Sequence, residues 1–459
     1  MTMEDIKRYL FTIGYCIIYI LCYVLFLNRY CEYAGFTLYN TDIDFIVISV
    51  LIAAFPIHFH KGYKAISSFI TIFIYILLYV PIILTFGLGY NILESQIVGI
   101  QIIFMFCMIL LFRADRFTMK SNISIRFSNH KDVTSLIFKT ALIITVILTL
   151  YILYLYRGNL RFVAFEKIYE LRTANQKYGE GLIDGYLSSW LSVLLIPVCL
   201  TYGLIYKKKL YFIVACFASL IIYMSTGAKG IFLFPVFFIV CYLFLRRASV
   251  KKMYSKFVFL FATALLILLL FPAFSDKVHF AKSMTMWRIV GNGGYLTMWY
   301  HNYFSTNPYT YYSHINIVNI VTEAYPYDVP LGVVIGQAYW GSMNANANFW
   351  ATDGIAACGM SGVILITFLL FSVLVFFNTI TKKINTLFVL LLTIPFSYSI
   401  LNVSLFTSLL SGGGFLMMLL FIILSSNSNI TTNENANHSA RPQFVKADKT
   451  SVNTIKSTN

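Results

Sequence analysis

Apolar runs alternate with short polar stretches along most of this 459-residue chain. A helix needs about 20 mainly apolar residues to cross the hydrocarbon core of a bilayer. The pattern predicts spans near 10–27, 43–59, 65–87, 94–112, 134–156, 183–205, 210–225, 229–245, 257–274, 354–378, 385–401 and 403–424. The pairs 210–225/229–245 and 385–401/403–424 almost run together. The expected architecture is an all-α polytopic membrane protein of about 12 transmembrane helices, with residues 1–424 in one bundle. Two long polar segments, 157–182 and 275–353, interrupt it on one side. From Ser425 to Asn459 the chain turns to Asn, Ser, Thr and Lys, a composition too polar for a core, so a disordered tail is expected.

Composition supports a bilayer setting. Charged residues make up 11% of the chain and apolar residues 59%, where a soluble domain carries about 25% charge. The net charge of +16 does not point to nucleic acid, because most of the basic residues sit in clusters between spans. Before the tail is counted, nineteen Lys and Arg fall on the side of the termini and ten on the opposite side. Short clusters such as Tyr206-Lys-Lys-Lys209 and Arg246-Arg247 predict cytoplasmic termini and outer loops. The eight cysteines lie mostly inside spans, with no CxxC pair and no Cys/His ligand spacing, so neither a disulfide framework nor a metal site is expected.

The two long loops hold eight Lys and Arg residues and four of the five Trp residues. Segment 275–353 is too long for a plain connection and too aromatic for a linker. It is expected to be partly helical and to rest on the bundle, with turns at Gly291-Asn-Gly-Gly294 and Asn307-Pro308. Its aromatic residues, Trp299 and Tyr300 among them, read either as an interfacial belt or as a platform for sugar rings. In the shorter loop, residues 161–172 have helical spacing. They read as a solvated helix with local ion pairs, or as a cationic clamp in which Arg161 and Arg172 hold a diphosphate. Guanidinium groups suit that task because their planar fork gives paired hydrogen bonds to phosphate oxygens. Lys229, in the turn Ser225-Thr-Gly-Ala-Lys-Gly230, either caps a helix end or adds a phosphate contact. Ionisable residues within spans are few, which argues against a pump or proton-driven carrier.

Three features carry a family resemblance. They are the span and loop arrangement, the segment Phe165-Glu-Lys-Ile-Tyr169-Glu-Leu-Arg172, and the segment from Asn344 to Gly362. On these the chain resembles bacterial O-antigen or capsular oligosaccharide repeat-unit polymerases of the Wzy type. Asn348 stands where the wider family, including O-antigen ligases, has a His, and Gly359 and Gly362 stand at its spaced glycines. That departure speaks against a ligase. The Arg-x10-Gly pattern of some polymerases fits neither loop.

The resemblance implies an enzyme of the bacterial cell inner membrane that polymerises undecaprenyl-diphosphate-linked oligosaccharides at the outer face. Lipid diphosphate would be the leaving group, with no metal, nucleotide sugar or other cofactor. It implies that Arg161, Arg172 and Arg288, with Lys229 behind them, stabilise the departing charge. Asp353, Glu170, Glu323 and His301 are unranked candidates for a base. Trp299, Tyr300, His301 and Asn348 are candidate sugar contacts. The implied partners are the lipid-linked oligosaccharide, membrane lipid and a chain-length regulator of the Wzz type, with no nucleic acid. Competing classes are a flippase or transporter of lipid-linked saccharide, a ligase, and a membrane acyltransferase. The last would need a His-centred motif, which His301 and His314 do not form in the sequence.

Overall fold

The computed structural model describes residues 3–119, 130–164, 167–175, 178, 182–247, 253–341 and 344–426. The expected cytoplasmic tail lies outside the described residues, apart from Ser425 and Ser426 at the end of the last helix. All regular structure among the described residues is helical. Nine helices there are long and apolar enough to cross a membrane: Glu4–Tyr30, Ile66–Gly89, Glu94–Arg116, Thr134–Leu155, Ile183–Ile205, Lys209–Thr226, Lys229–Arg246, Met253–Leu270 and Trp350–Thr381. Ile43–Phe59, Thr386–Ile400 and Gly414–Ser426 are shorter apolar helices where further spans were expected. Among the described residues the chain is all-helical, and its long apolar helices are those of a multi-pass membrane protein. The expected last span, 403–424, is not continuous: Leu405–Leu409 is a separate short helix, and Gly413 turns the chain with φ 76° before Gly414–Ser426.

Successive turns gather at opposite ends of the bundle. At the end nearest the N-terminus, Arg8 donates to the His60 carbonyl. There Asn378 accepts from Ser67 N at 3.0 Å and donates to Ala114 O at 2.9 Å. At the other end the two long loops rest on the turns that follow helices 4–30, 66–89 and 209–226.

An apolar bundle offers its polar groups no water, so they must find partners inside the protein. Tyrosines meet much of this need. Tyr15 donates to Ile76 O at 2.8 Å, Tyr75 to Ala53 O at 2.7 Å and Tyr79 to Ile52 O at 2.8 Å. These bonds centre on the deeply buried helix 66–89. Its wide turn Tyr75–Tyr79 lies just ahead of Pro81. Proline has no N–H and crowds the carbonyl four residues back, and a π turn makes room for it.

The large loop enters the bundle at this point. Asp276–Met286, Trp287–Gly291 and Asn292–Phe304 run on as successive helical segments. Gly291-Asn-Gly-Gly294 is therefore not a turn, contrary to expectation, whereas Asn307-Pro308 is irregular as expected. The glycines serve packing instead. A Cβ on Gly294 would lie 2.5 Å from Pro81 O, and one on Gly293 would lie 3.2 Å from Leu77 O. Small residues let two helices approach backbone to backbone. Tyr19 seals the junction by donating to Val290 O at 2.7 Å. Replacing Gly294 with Val is expected to destabilise the fold by about 1–3 kcal/mol, the usual cost of overpacking. Thermal unfolding of the detergent-solubilised protein measures this, and an unchanged midpoint would refute the backbone contact.

Candidate functional site

The apolar stretch Trp350–Thr381 looks like one helix, but the chain breaks within it. Cys358 (φ −153°, ψ 29°) and Gly359 (φ 62°, ψ −146°) reverse its direction. Gly359 occupies a left-handed conformation that glycine adopts without steric cost. Past the reversal the chain packs on what came before. A Cβ on Gly362 would collide with the Gly354 carbonyl, and one on Gly354 would lie 3.0 Å from Val363 Cα. Trp350 Nε1 donates to Thr367 Oγ1 at 2.9 Å, and the Trp350 ring meets Phe104, midway along helix 94–116. The expected span 354–378 is thus shortened at its start to the helix that follows Gly359 and ends at Thr381. Residues 350–357 form a half-helix that begins inside the bundle and climbs towards the loops, and the chain descends again after Gly359.

Both ends of this half-helix are tied down. At its start Asn348 is buried. Its Oδ1 accepts from Trp350 N at 3.0 Å and Ala351 N at 3.1 Å, and its Nδ2 donates to Thr297 Oγ1 at 2.8 Å. Asn348 is thus a helix cap with both ends of its amide engaged, rather than an open sugar contact. At the far end the reversal deprives carbonyls of helical partners. Ala356 O accepts from Thr310 N at 2.8 Å and Ala357 O from Tyr311 N at 3.1 Å. The tight loop that supplies these amides holds Tyr311 at φ 44° and Tyr312 at φ 67°. Such left-handed residues cost about 1–3 kcal/mol each and persist only where the surroundings enforce them.

Asp353 sits between the two anchors and is fully buried, the most deeply buried acidic side chain among the described residues. Its Oδ1 lies 3.2 Å from His314 Nε2 and accepts from Ser404 Oγ at 2.7 Å. Its Oδ2 accepts from Leu405 N at 2.5 Å. His314 Nδ1 lies 2.8 Å from Thr310 Oγ1. With Nε2–H donating to Asp353, Nδ1 accepts from the Thr310 hydroxyl, which otherwise donates to Ala356 O at 3.1 Å; Ala356 O keeps its bond from Thr310 N either way. His314, Thr310 and Ser404 were missed in the sequence, and His314 is not isolated. Asp353, which was singled out there, is the centre of the network.

The cations gather elsewhere at the same end of the bundle. Helix Ile168–Asn175 lies against the end of helix 209–226, which Gly227 terminates with φ 65°. Arg172 Nη2 donates to Gly227 O at 3.1 Å and Asn175 Nδ2 to Ser225 O at 2.7 Å. Arg172 therefore stands at a helix carboxyl end, where positive charge is favoured. It is exposed, as is Lys229 two residues beyond Gly227. The structure brings these two candidates to one turn. Arg161 and Glu170 are exposed nearby in sequence; Glu166 lies outside the described residues. Arg288 is exposed on the helix that packs against helix 4–30, and no contact joins it to Arg172 among the described residues.

Of the aromatic platform, Trp299 and Tyr300 are corrected: neither is an open contact. Trp299 is buried and stacks on Tyr339, with centroids 5.0 Å apart and planes 7° apart. Tyr300 is buried and donates to Ala345 O at 3.1 Å. Both rings are spent on the loop's own core. The spacing of Leu296, Tyr300 and Phe304, four residues apart, carried that signal. His301 Nδ1 lies 2.8 Å from Tyr90 OH, and burial lowers its pKa below the ordinary 6.5. Glu323 is exposed at the end of helix Asn316–Thr322. Comparison with protein-family models, with curated proteins and with solved structures finds no match.

Replacing Asp353 with Ala removes the acceptor shared by His314, Ser404 and Leu405 N. Breaking a buried pair in this way costs about 3–5 kcal/mol, so a large drop in melting temperature is expected, and a wild-type midpoint would count against the network. A pH effect follows from His301. Its folded pKa is lowered, so its contribution to stability is complete above 6.5 and declines as pH falls below that value. Melting temperatures measured across this range should fall on the acid side, and less steeply in His301→Gln; parallel profiles would contradict the assignment.

Proposed function

We propose that the protein is a membrane glycosyltransferase that joins undecaprenyl-diphosphate-linked oligosaccharide units into O-antigen or capsular polysaccharide. In this reading both termini face the cytoplasm of a bacterial cell, and the loops lie beyond the outer leaflet of the inner membrane. The supporting observation is the Asp353–His314 pair at the helix break, at the same end of the bundle as Arg172 and Lys229. Ionisable groups inside an apolar bundle are costly, and by default they mark function.

The reaction divides between these two groups. A sugar hydroxyl of the incoming unit attacks the anomeric carbon of the growing chain. The new C–O bond forms as the bond from that carbon to the diphosphate oxygen breaks, and the electron pair leaves with the lipid diphosphate. His314, held at Nε2 by Asp353, takes the hydroxyl proton at Nδ1, where the sugar hydroxyl replaces that of Thr310. Arg172, Lys229 and Arg161 receive the departing charge.

A second reading draws on the same pair. A buried carboxylate and imidazole on a discontinuous helix also suit a proton-coupled carrier of lipid-linked saccharide. Proteoliposomes loaded with lipid-linked repeat units, without an ion gradient, separate the two. Polymer is expected from the enzyme, and movement of the lipid without polymer would favour the carrier. In a strain deleted for the gene, Arg172→Ala should insert normally yet collapse the surface-polysaccharide ladder to single units. His314→Ala should slow coupling by about 10²–10⁴-fold, the usual contribution of a general base. A full ladder from Arg172→Ala would remove that residue from the mechanism.

A further inference from the structure

The large loop forms a second feature, an open cleft of about 510 Å³. This lies within the range of about 300–1,000 Å³ common for small-ligand sites. Helices Asn292–Phe304 and Leu331–Tyr339 and the segment between Tyr325 and Pro330 enclose it. Tyr303 and Tyr327 contribute rings, Asp328 and Gln337 stand exposed, and Val334 is buried beneath them.

The walls are fixed before any ligand arrives. Tyr327 OH donates to Pro308 O at 2.7 Å, Tyr325 OH donates to Val329 O at 3.0 Å, and Tyr325 N donates to Asn319 Oδ1 at 3.2 Å. The rings of Tyr303 and Tyr327 lie 6.1 Å apart, tilted by 50°. A preorganised site loses less entropy on binding.

The lining chemistry selects the ligand class. Among the described residues no Lys or Arg lines the cleft, which makes it a poor match for a diphosphate. Tyrosine rings instead match the C–H faces of a pyranose. A carboxylate accepts from hydroxyls on neighbouring carbons, and a carboxamide both donates and accepts. We propose that this cleft binds uncharged sugar units of a glycan, away from the diphosphate end. Its position fits that task. Pro308, which anchors Tyr327, lies two residues before Thr310, whose amide holds the broken helix. A glycan seated here would extend from the reacting centre. The identity of that glycan as the growing polymer rests on the polymerase reading, whereas the preference for neutral sugars rests on the lining alone.

The test uses the full chain in nanodiscs. The probe is a mixture of oligosaccharides released by mild acid from the surface polysaccharide of the strain that carries the gene. Saturation-transfer NMR is expected to show contact with the wild type, no competition from inorganic pyrophosphate, and about tenfold weaker binding in Tyr303→Ala/Gln337→Ala. Should the double variant fail to fold, Gln337→Ala alone, at an exposed position, takes its place. In the deletion strain the variant should give a shortened ladder rather than none. Wild-type binding and a wild-type ladder in the variant would overturn the cleft. Oligosaccharide binding by a wild-type protein that makes no polymer from lipid-linked units would overturn the polymerase reading and leave the cleft standing.

Discussion

Two backbone carbonyls, those of Ala356 and Ala357, set the arrangement of everything around them. The reversal at Cys358 and Gly359 strips them of helical partners, and carbonyls of buried residues need new donors. The amides of Thr310 and Tyr311 fill that need. Once those amides are committed, the loop has little freedom. Tyr311 and Tyr312 are forced into left-handed backbone, and His314 is delivered to Asp353. Asn348 does the same at the other end of the half-helix, with one side chain serving both the helix start and the neighbouring Thr297. The reactive-looking pair is thus a consequence of how the protein satisfies a broken helix.

Much of the bundle was legible in the sequence, because hydropathy and length report burial directly. The helices Ile43–Phe59 and Ile183–Ile205 begin and end where the apolar runs do. The half-helix was not legible. Residues 354–378 read as one apolar run, and periodicity reports which residues are buried without reporting a change of direction. Gly354, Gly359 and Gly362 carry the reversal, but glycine is common enough in membrane helices that its presence alone does not announce one.

The candidate site was legible only in part, for a related reason. Asp353 and Asn348 stood out as polar residues in an apolar run. His314 lies 39 residues from its partner, joined by a loop whose path no spacing rule gives. The aromatic residues misled in the opposite direction. Counting Trp and Tyr in a loop does not separate a ligand platform from a core, and Trp299 and Tyr300 belong to the core. Tyr303 and Tyr327, from the same loop, are left partly open at the cleft. Tyr303 shares helix 292–304 with Trp299 and Tyr300 and differs in which face of that helix is covered, a fact of tertiary packing, while Tyr327 comes from the irregular segment before helix 331–339.

The two clusters at the loop end differ in what they contribute to the fold, and the difference governs how each can be interpreted. Asp353 is buried with three partners, so its loss leaves unpaired groups in an apolar interior. Failure of an Asp353 variant therefore mixes chemistry with stability. Arg172 and Lys229 are exposed, and exposed charges contribute little to stability even when paired. Arg172 already has a structural role at the carboxyl end of helix 209–226, where it donates to Gly227 O. Loss of activity in its variant therefore reports on a ligand only where the melting midpoint is unchanged, a condition an exposed side chain meets more readily than buried Asp353 does.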